Sequence, residues 1–197
     1  VDKNSDIDLF IIAKKGRLFF VRSFVTLILQ LMGVRRHGDK IAGRFCLSFF
    51  IDDSDLCLKK VALDRDFYLA YWVKSLLPVI DDGVFSEFVA ANDWANDLVE
   101  EDLPAKDVHF DDSDAFSDLA CSVFTSFFSG RFGDLLESWL QSWQLSRAEL
   151  KRSRLNDSSG VVISPHMLKF HNEDRRAHYN RLCRKSLSGD GSSSSVE

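Results

Sequence analysis

The clearest pattern in the chain is Asp6-Ile7-Asp8-Leu9-Phe10-Ile11-Ile12, which alternates polar and apolar at first and then turns apolar at every position. A period of two is the signature of a strand, and losing the polar face marks a strand buried on both sides. Residues 7–12 are therefore predicted as a central β-strand, closed by Lys14-Lys15-Gly16. Residues 17–32 are predicted as a helix, stopped by Gly33. A polar, glycine-containing connector over 35–44 leads to a second strand at 45–51, Phe-Cys-Leu-Ser-Phe-Phe-Ile, which ends in Asp52-Asp53-Ser54-Asp55. Strand–helix–strand order implies a parallel or mixed sheet with a helix packed on it, an α/β (α+β) fold class.

Beyond this point the periodicity becomes helical. Asp64 is the expected N-cap of a helix whose apolar positions are Leu69, Trp72, Val73 and Leu76, and Pro78 marks its end. A second helix is predicted over 84–99, with Phe88, Ala91, Ala95 and Leu98 inward and Pro104 beyond it. A third is predicted from Asp114 to Phe128, broken or kinked by Gly130 and Gly133. Its continuation carries Phe132, Leu135, Leu136, Trp139, Leu140 and Trp143, the cleanest amphipathic pattern in the chain. Trp139 and Trp143 are spaced i, i+4 in that stripe, which reads as core packing rather than as a stacking platform for bases. Ser164-Pro165 is read as a cap and first turn of a last helix reaching Lys185. The expected organisation is a core over 1–60, a helical extension over 61–185, and a Ser/Gly-rich disordered tail over 186–197.

Composition sharpens this picture at three points. The 17 Phe against 3 Tyr predict an interior rich in phenyl rings. The net charge of -5 conceals an asymmetry: residues 1–51 hold nine Lys/Arg and four Asp/Glu, residues 52–118 hold five and eighteen, and residues 147–185 hold ten and four. An acidic middle between basic ends argues against wrapping a long duplex, and allows a local basic patch for a phosphate-bearing ligand. Cys46, Cys57, Cys121 and Cys183 form no CxxC pair and have no His at finger spacing, so no zinc site is predicted, and Cys46 and Cys121 read as small core residues. A reducing, cytoplasmic setting is the simplest for such a chain. The apolar run over 18–32, interrupted by Arg22, is shorter than the ~20 residues of a membrane span.

The chemistry is concentrated in Ser5-Asp6-Ile7-Asp8-Leu9. Residues i and i+2 of a strand share a face, roughly 6.6 Å apart at about 3.3 Å per residue. Two carboxylates so placed can converge on Mg²⁺ or Mn²⁺, and without a cation their mutual repulsion is costly. Asn4-Ser5-Asp6-Ile7-Asp8-Leu9-Phe10-Ile11-Ile12 resembles the metal-binding strand of the DNA polymerase β-like nucleotidyltransferase superfamily. That group includes poly(A) polymerases, CCA-adding enzymes, antibiotic nucleotidyltransferases and small bacterial nucleotidyltransferases. The resemblance covers about residues 1–58. It implies that Asp6 and Asp8 bind the metal that bridges the phosphates of a nucleoside triphosphate, with Ser5 as an adjacent hydroxyl. It implies transfer of a nucleoside monophosphate to an acceptor, which the sequence leaves open among RNA, protein and small molecules. The alternative is a non-catalytic module that keeps the fold for binding or protein interaction.

The family pattern also has a Gly-Ser turn before the paired acids and a third acid on a later strand. The turn is expected upstream of Val1, since the chain starts without Met and almost at once enters a strand. Residues 45–51 contain no acid; Ser48 stands mid-strand where one is expected, and Asp52, Asp53 and Asp55 are candidates if the register brings them round. Their simpler reading is a solvated turn. A second polar cluster, Lys169 to Arg176 with His166 and His178, would put His171, Arg175 and His178 on one helical face. It reads best as a charged surface, with Arg175 or Arg176 paired to the acidic middle of the chain.

Overall fold

The computed structural model describes residues 5–99, 130–153, 160–170 and 176–187. In chain order the elements are β1 (Ile7–Ala13), α1 (Leu18–Leu31), β2 (Phe45–Asp52), α2 (Phe67–Ser75), α3 (Val84–Ala91), α4 (Arg131–Arg152), β3 (Val161–Ile163), β4 (Met167–Phe170) and α5 (Arg176–Leu187). The expected helix over 114–128 and the expected tail over 186–197 fall wholly or mostly outside the described residues. The chain divides into two compact units: Val1–Asp55 with Asp111–Glu173, and Leu56–Phe110 with Asp174–Glu197.

The first unit is a mixed α/β structure. Its four described strands lie in the order β1-β2-β4-β3. β1 and β2 are parallel, joined through α1, and β4 runs antiparallel to both β2 and β3. Among the described residues β1 therefore stands at one end of the sheet rather than at its centre, and β2 takes the central place with Ser48, Phe49, Phe50, Ile51 and Asp52 all buried. The core gathers Ala13, Leu18, Phe19, Phe50, Leu140 and Leu168.

A polar device fixes α1 against α4. The first turn of a helix leaves its N–H groups without intrahelical partners. Here the buried Glu137 of α4 accepts from Phe19 N at 2.9 Å and from Phe20 N at 2.8 Å, one bond to each carboxylate oxygen. A carboxylate at that end also complements the helix dipole. One turn on, buried Gln144 donates to Phe19 O at 2.9 Å and to Ser23 Oγ at 2.8 Å, and accepts from Arg22. Arg22 lies over the Phe170 ring at 4.9 Å, and burial, then the like charge of Arg35, lowers it to about 10.

These bonds turn α4 so that only part of its apolar stripe, Leu136 and Leu140, faces the core. Gly133, Glu137, Leu140 and Gln144 are buried, whereas Phe132, Leu135, Trp139 and Trp143 are exposed, Trp139 at 63% and Trp143 at 47%. The two indoles stack on each other with centroids 6.3 Å apart. The core-packing expectation for this pair is thus overturned. Gly133 breaks nothing, since it lies in the first turn of a helix that starts at Arg131.

The expected helix from Ser164 is also replaced. β3 and β4 form a hairpin whose turn is Pro165-His166, closed by Ser164 N donating to Met167 O at 2.9 Å. Pro suits the second position of a turn as well as it suits a first helical position, and the β-branched run Val161-Val162-Ile163 decides for strand. The following helix begins at Arg176 instead.

In the second unit α2 is capped by Asp66, two residues after the expected Asp64, with Oδ1 accepting from Leu69 N at 3.0 Å. Arg176 meets Asp66 Oδ2 at 3.4 Å and donates to Val61 O at 2.8 Å, so this arginine does pair with the acidic middle of the chain. Buried Asn92 ends α3 and ties the preceding loop, accepting from Leu58 N at 2.7 Å and donating to Leu56 O at 2.8 Å. No helix among the described residues is long and apolar enough to cross a membrane.

Candidate functional site

Asp8 lies in β1 and Asp6 just before it, at the end of the strand where the chain enters the sheet. Ile7 pairs with Phe45 and Asp8 with Cys46; the register then slips, so that Phe10 pairs with Phe49. One extra residue of β2 is taken up there, a bulge of the kind that re-aims side chains. Phe10 and Phe49 touch edge to face at 5.0 Å beyond it. The slip settles which β2 side chain stands beside the paired acids. It is Cys46, not Ser48, which is buried two residues further on.

Ligand atoms of Asp6, Asp8 and Cys46 lie within 4.8 Å of one another. Asp8 is exposed, while Asp6 and Cys46 are half-buried. The shared-face expectation for Asp6 and Asp8 holds in this convergence. Cys46, read from sequence as a small core residue, is part of the cluster. Burial pushes its thiol above the ordinary range; the carboxylates of Asp8 and Asp6 push the same way, and a hydrogen bond with Ser48 opposes them.

The other unforeseen member is Arg36. Its guanidinium donates to Asp6 Oδ2 at 2.6 Å, which holds its proton more firmly than usual. Arg36 is carried there by the connector between α1 and β2, which is laced to both parallel strands. Arg36 N donates to Phe45 O at 3.0 Å, Ile7 N to Arg44 O at 2.8 Å, and Gly43 N to Ser5 O at 2.9 Å. A tight turn joins His37 and Lys40, with Gly38 at φ 52, where a side chain would be strained. The connector also carries Arg35, His37, Lys40 and Arg44, with Asp39 as its one acid; Arg36 is the cation seen on the paired acids, whereas Arg35 donates to Gln30 of α1 at 3.2 Å. Ser5 is exposed and held through its backbone carbonyl.

Asp52, Asp53 and Asp55 lie far from this cluster. Asp52 pairs with Ala13, five residues along β1 from Asp8, or roughly 16 Å at about 3.3 Å per residue. Asp52 is buried and occupied: Ser54 Oγ donates to its Oδ1 at 2.6 Å, and His166 Nδ1 lies 2.8 Å from its Oδ2. Asp53 accepts from Lys15 N at 2.8 Å. None of the three supplies a third carboxylate to Asp6 and Asp8.

Two other arrangements are excluded by geometry. Ser54, His166 and Asp52 are the residue types of a nucleophilic triad, but Ser54 Oγ at 3.4 Å and Asp52 both meet Nδ1 of the imidazole, whereas a relay needs them on opposite nitrogens. The first turn of α1, a natural phosphate site after a strand, has two of its N–H groups filled by Glu137. His171 and Arg175 lie outside the described residues, and His178 is exposed on α5.

The donor set suits a divalent cation, with two carboxylates able to neutralise it. The thiol is a less natural ligand for Mg²⁺, which favours oxygen. Comparison with protein-family models, with curated proteins and with solved structures finds no match to this chain.

Proposed function

We propose that this chain is a metal-dependent nucleotidyltransferase of the DNA polymerase β-like type, transferring a nucleoside monophosphate from an NTP to an acceptor. The observation that carries the reading is the convergence of Asp6 and Asp8 at the end of a strand paired in parallel with β2. In this reading Asp6 and Asp8 hold Mg²⁺ or Mn²⁺. The metal supplies charge neutralisation on the triphosphate and polarises the phosphorus for in-line attack. Ser5 would supply an adjacent hydroxyl to the phosphates. The basic connector adds a positive field that favours a phosphate-bearing ligand at this end of the sheet. RNA, protein and small molecules remain the classes of acceptor. A reducing, cytoplasmic setting suits the free thiols of Cys46 and Cys57.

A second reading, a non-catalytic nucleotide-binding or interaction module, is favoured by two specific features. The later strand brings the thiol of Cys46, and no third acid, to Asp6 and Asp8 among the described residues. Arg36 already compensates Asp6 with an internal positive charge. Both features weaken the chemical step more than they weaken nucleotide binding.

One paired experiment separates these readings. NTP binding is measured by calorimetry with and without Mg²⁺ or Mn²⁺, beside pyrophosphate release in the presence of pooled RNA, protein and small-molecule acceptors. Metal-dependent binding with acceptor-dependent release, both lost in Asp6→Asn, supports the enzyme. Binding without release supports the module. Absence of any metal-dependent NTP binding refutes both nucleotide readings.

A further inference from the structure

We propose that Cys46 is a direct metal ligand and makes this site selective for a divalent metal of borderline softness, of the Zn²⁺ and Co²⁺ class, over Mg²⁺. The inference rests on the reading of Asp6 and Asp8 as metal ligands and goes beyond it in naming the third donor and the metal class.

Asp8 and Cys46 are cross-strand partners, so their side chains rise from the same face of the sheet, and Asp6 joins them from two residues before. Sulfur is the third donor that gathers with the two carboxylates among the described residues. Two carboxylates and one thiol give three protein ligands with one position open, the layout of zinc sites that leave a place for water or substrate. The thiol binds as thiolate, its proton leaving to water. Zinc binds thiolate at about 2.3 Å and carboxylate oxygen at about 2.0–2.2 Å, so ligand atoms now within 4.8 Å need only small side-chain rotations to close on the ion.

The surrounding groups fit such a centre. Metal-bound carboxylates and thiolates are oriented by partners outside the ligand set. Arg36 donates to one oxygen of Asp6, which leaves the other oxygen to bind. Mg²⁺ gains little from sulfur, because it demands hard oxygen donors in octahedral geometry.

The test uses the full chain and each metal alone, with calorimetry and the Co²⁺ absorption spectrum as readouts. Zn²⁺ binds most sites more tightly than Mg²⁺, so the decisive quantity is the change caused by Cys46→Ser. The expected result is a thiolate-to-Co²⁺ charge-transfer band that vanishes in Cys46→Ser and persists in Cys57→Ser and Cys183→Ser. Zn²⁺ affinity should fall by about tenfold or more in Cys46→Ser, while Mg²⁺ affinity changes by less than about twofold. Cys46→Asp, a variant that keeps three donors, should lose the band and bind Mg²⁺ about tenfold more tightly. Metal binding that needs Asp8 but is indifferent to Cys46→Ser, with no charge-transfer band, overturns this inference and leaves the metal reading intact. Equal binding of every metal by wild type and Asp8→Asn overturns both.

Discussion

Cys46 stands directly opposite Asp8 across the β1–β2 ladder, and the register slips just beyond it, so that Phe10 meets Phe49 rather than Ser48. Carried back without the slip, the Phe10–Phe49 register would put Leu47 opposite Asp8, so the bulge sets a thiol there. Asp52, Asp53 and Asp55 do not contribute, since they lie at and beyond the far end of β2.

Arg36 is expected to hold back metal in the absence of nucleotide. Its guanidinium sits 2.6 Å from Asp6 and would repel an incoming cation. A unit charge about 5 Å from a divalent ion is worth roughly 1.5–2 kcal/mol even at the dielectric of water, or about twentyfold in affinity. Arg36→Gln should therefore tighten Mn²⁺ binding by about that factor in calorimetry. Weaker binding in Arg36→Gln would mean that the guanidinium orients Asp6 more than it competes.

Glu137 is expected to matter for stability far more than an ordinary helix carboxylate. It satisfies two N–H groups of α1 from a buried position. Glu137→Ala leaves both donors without their partner and should cost about 2–4 kcal/mol in urea unfolding, with Glu137→Gln costing less because one oxygen remains. A loss below about 0.5 kcal/mol in Glu137→Ala would contradict the capping role.

The orientation of α4 makes an unusual contrast. Trp139 and Trp143 are exposed whereas Leu140 is buried. Trp139→Ser and Trp143→Ser should each change stability by about 1 kcal/mol or less, whereas Leu140→Ala should cost about 2–5 kcal/mol. The reverse order would put the indoles in the core after all.

Much of the parallel core was legible because its signals are local. Ile7 to Ala13, Leu18 to Leu31 and Phe45 to Asp52 carry period, length and stop residues that agree with one another, and all three form close to where the sequence puts them. α4 was misread because its inward face is chosen by hydrogen bonds to α1: Glu137 and Gln144 go in to meet backbone groups, and no measure of hydrophobic periodicity registers that. The hairpin at Ser164-Pro165 was misread because the same dipeptide serves a turn and a helix start. At the site, Asp6 and Asp8 were visible from strand period alone. Cys46 and Arg36 were not, because each enters through register or a connector fold. The one available hint was the +5 imbalance of residues 1–51, which placed cations near acids without saying which met.

The most direct test of the central claim, that Asp6 and Asp8 form a divalent-metal site, is thermal unfolding of wild type and Asp8→Asn with and without Mn²⁺. A metal that binds the native state selectively stabilises it by mass action; about tenfold above its dissociation constant it should raise the wild-type Tm by roughly 3–5 °C. The account predicts that rise in wild type and its loss in Asp8→Asn, with both proteins folded in the absence of metal. An equal rise in both proteins, or none in wild type at millimolar Mn²⁺, would contradict it.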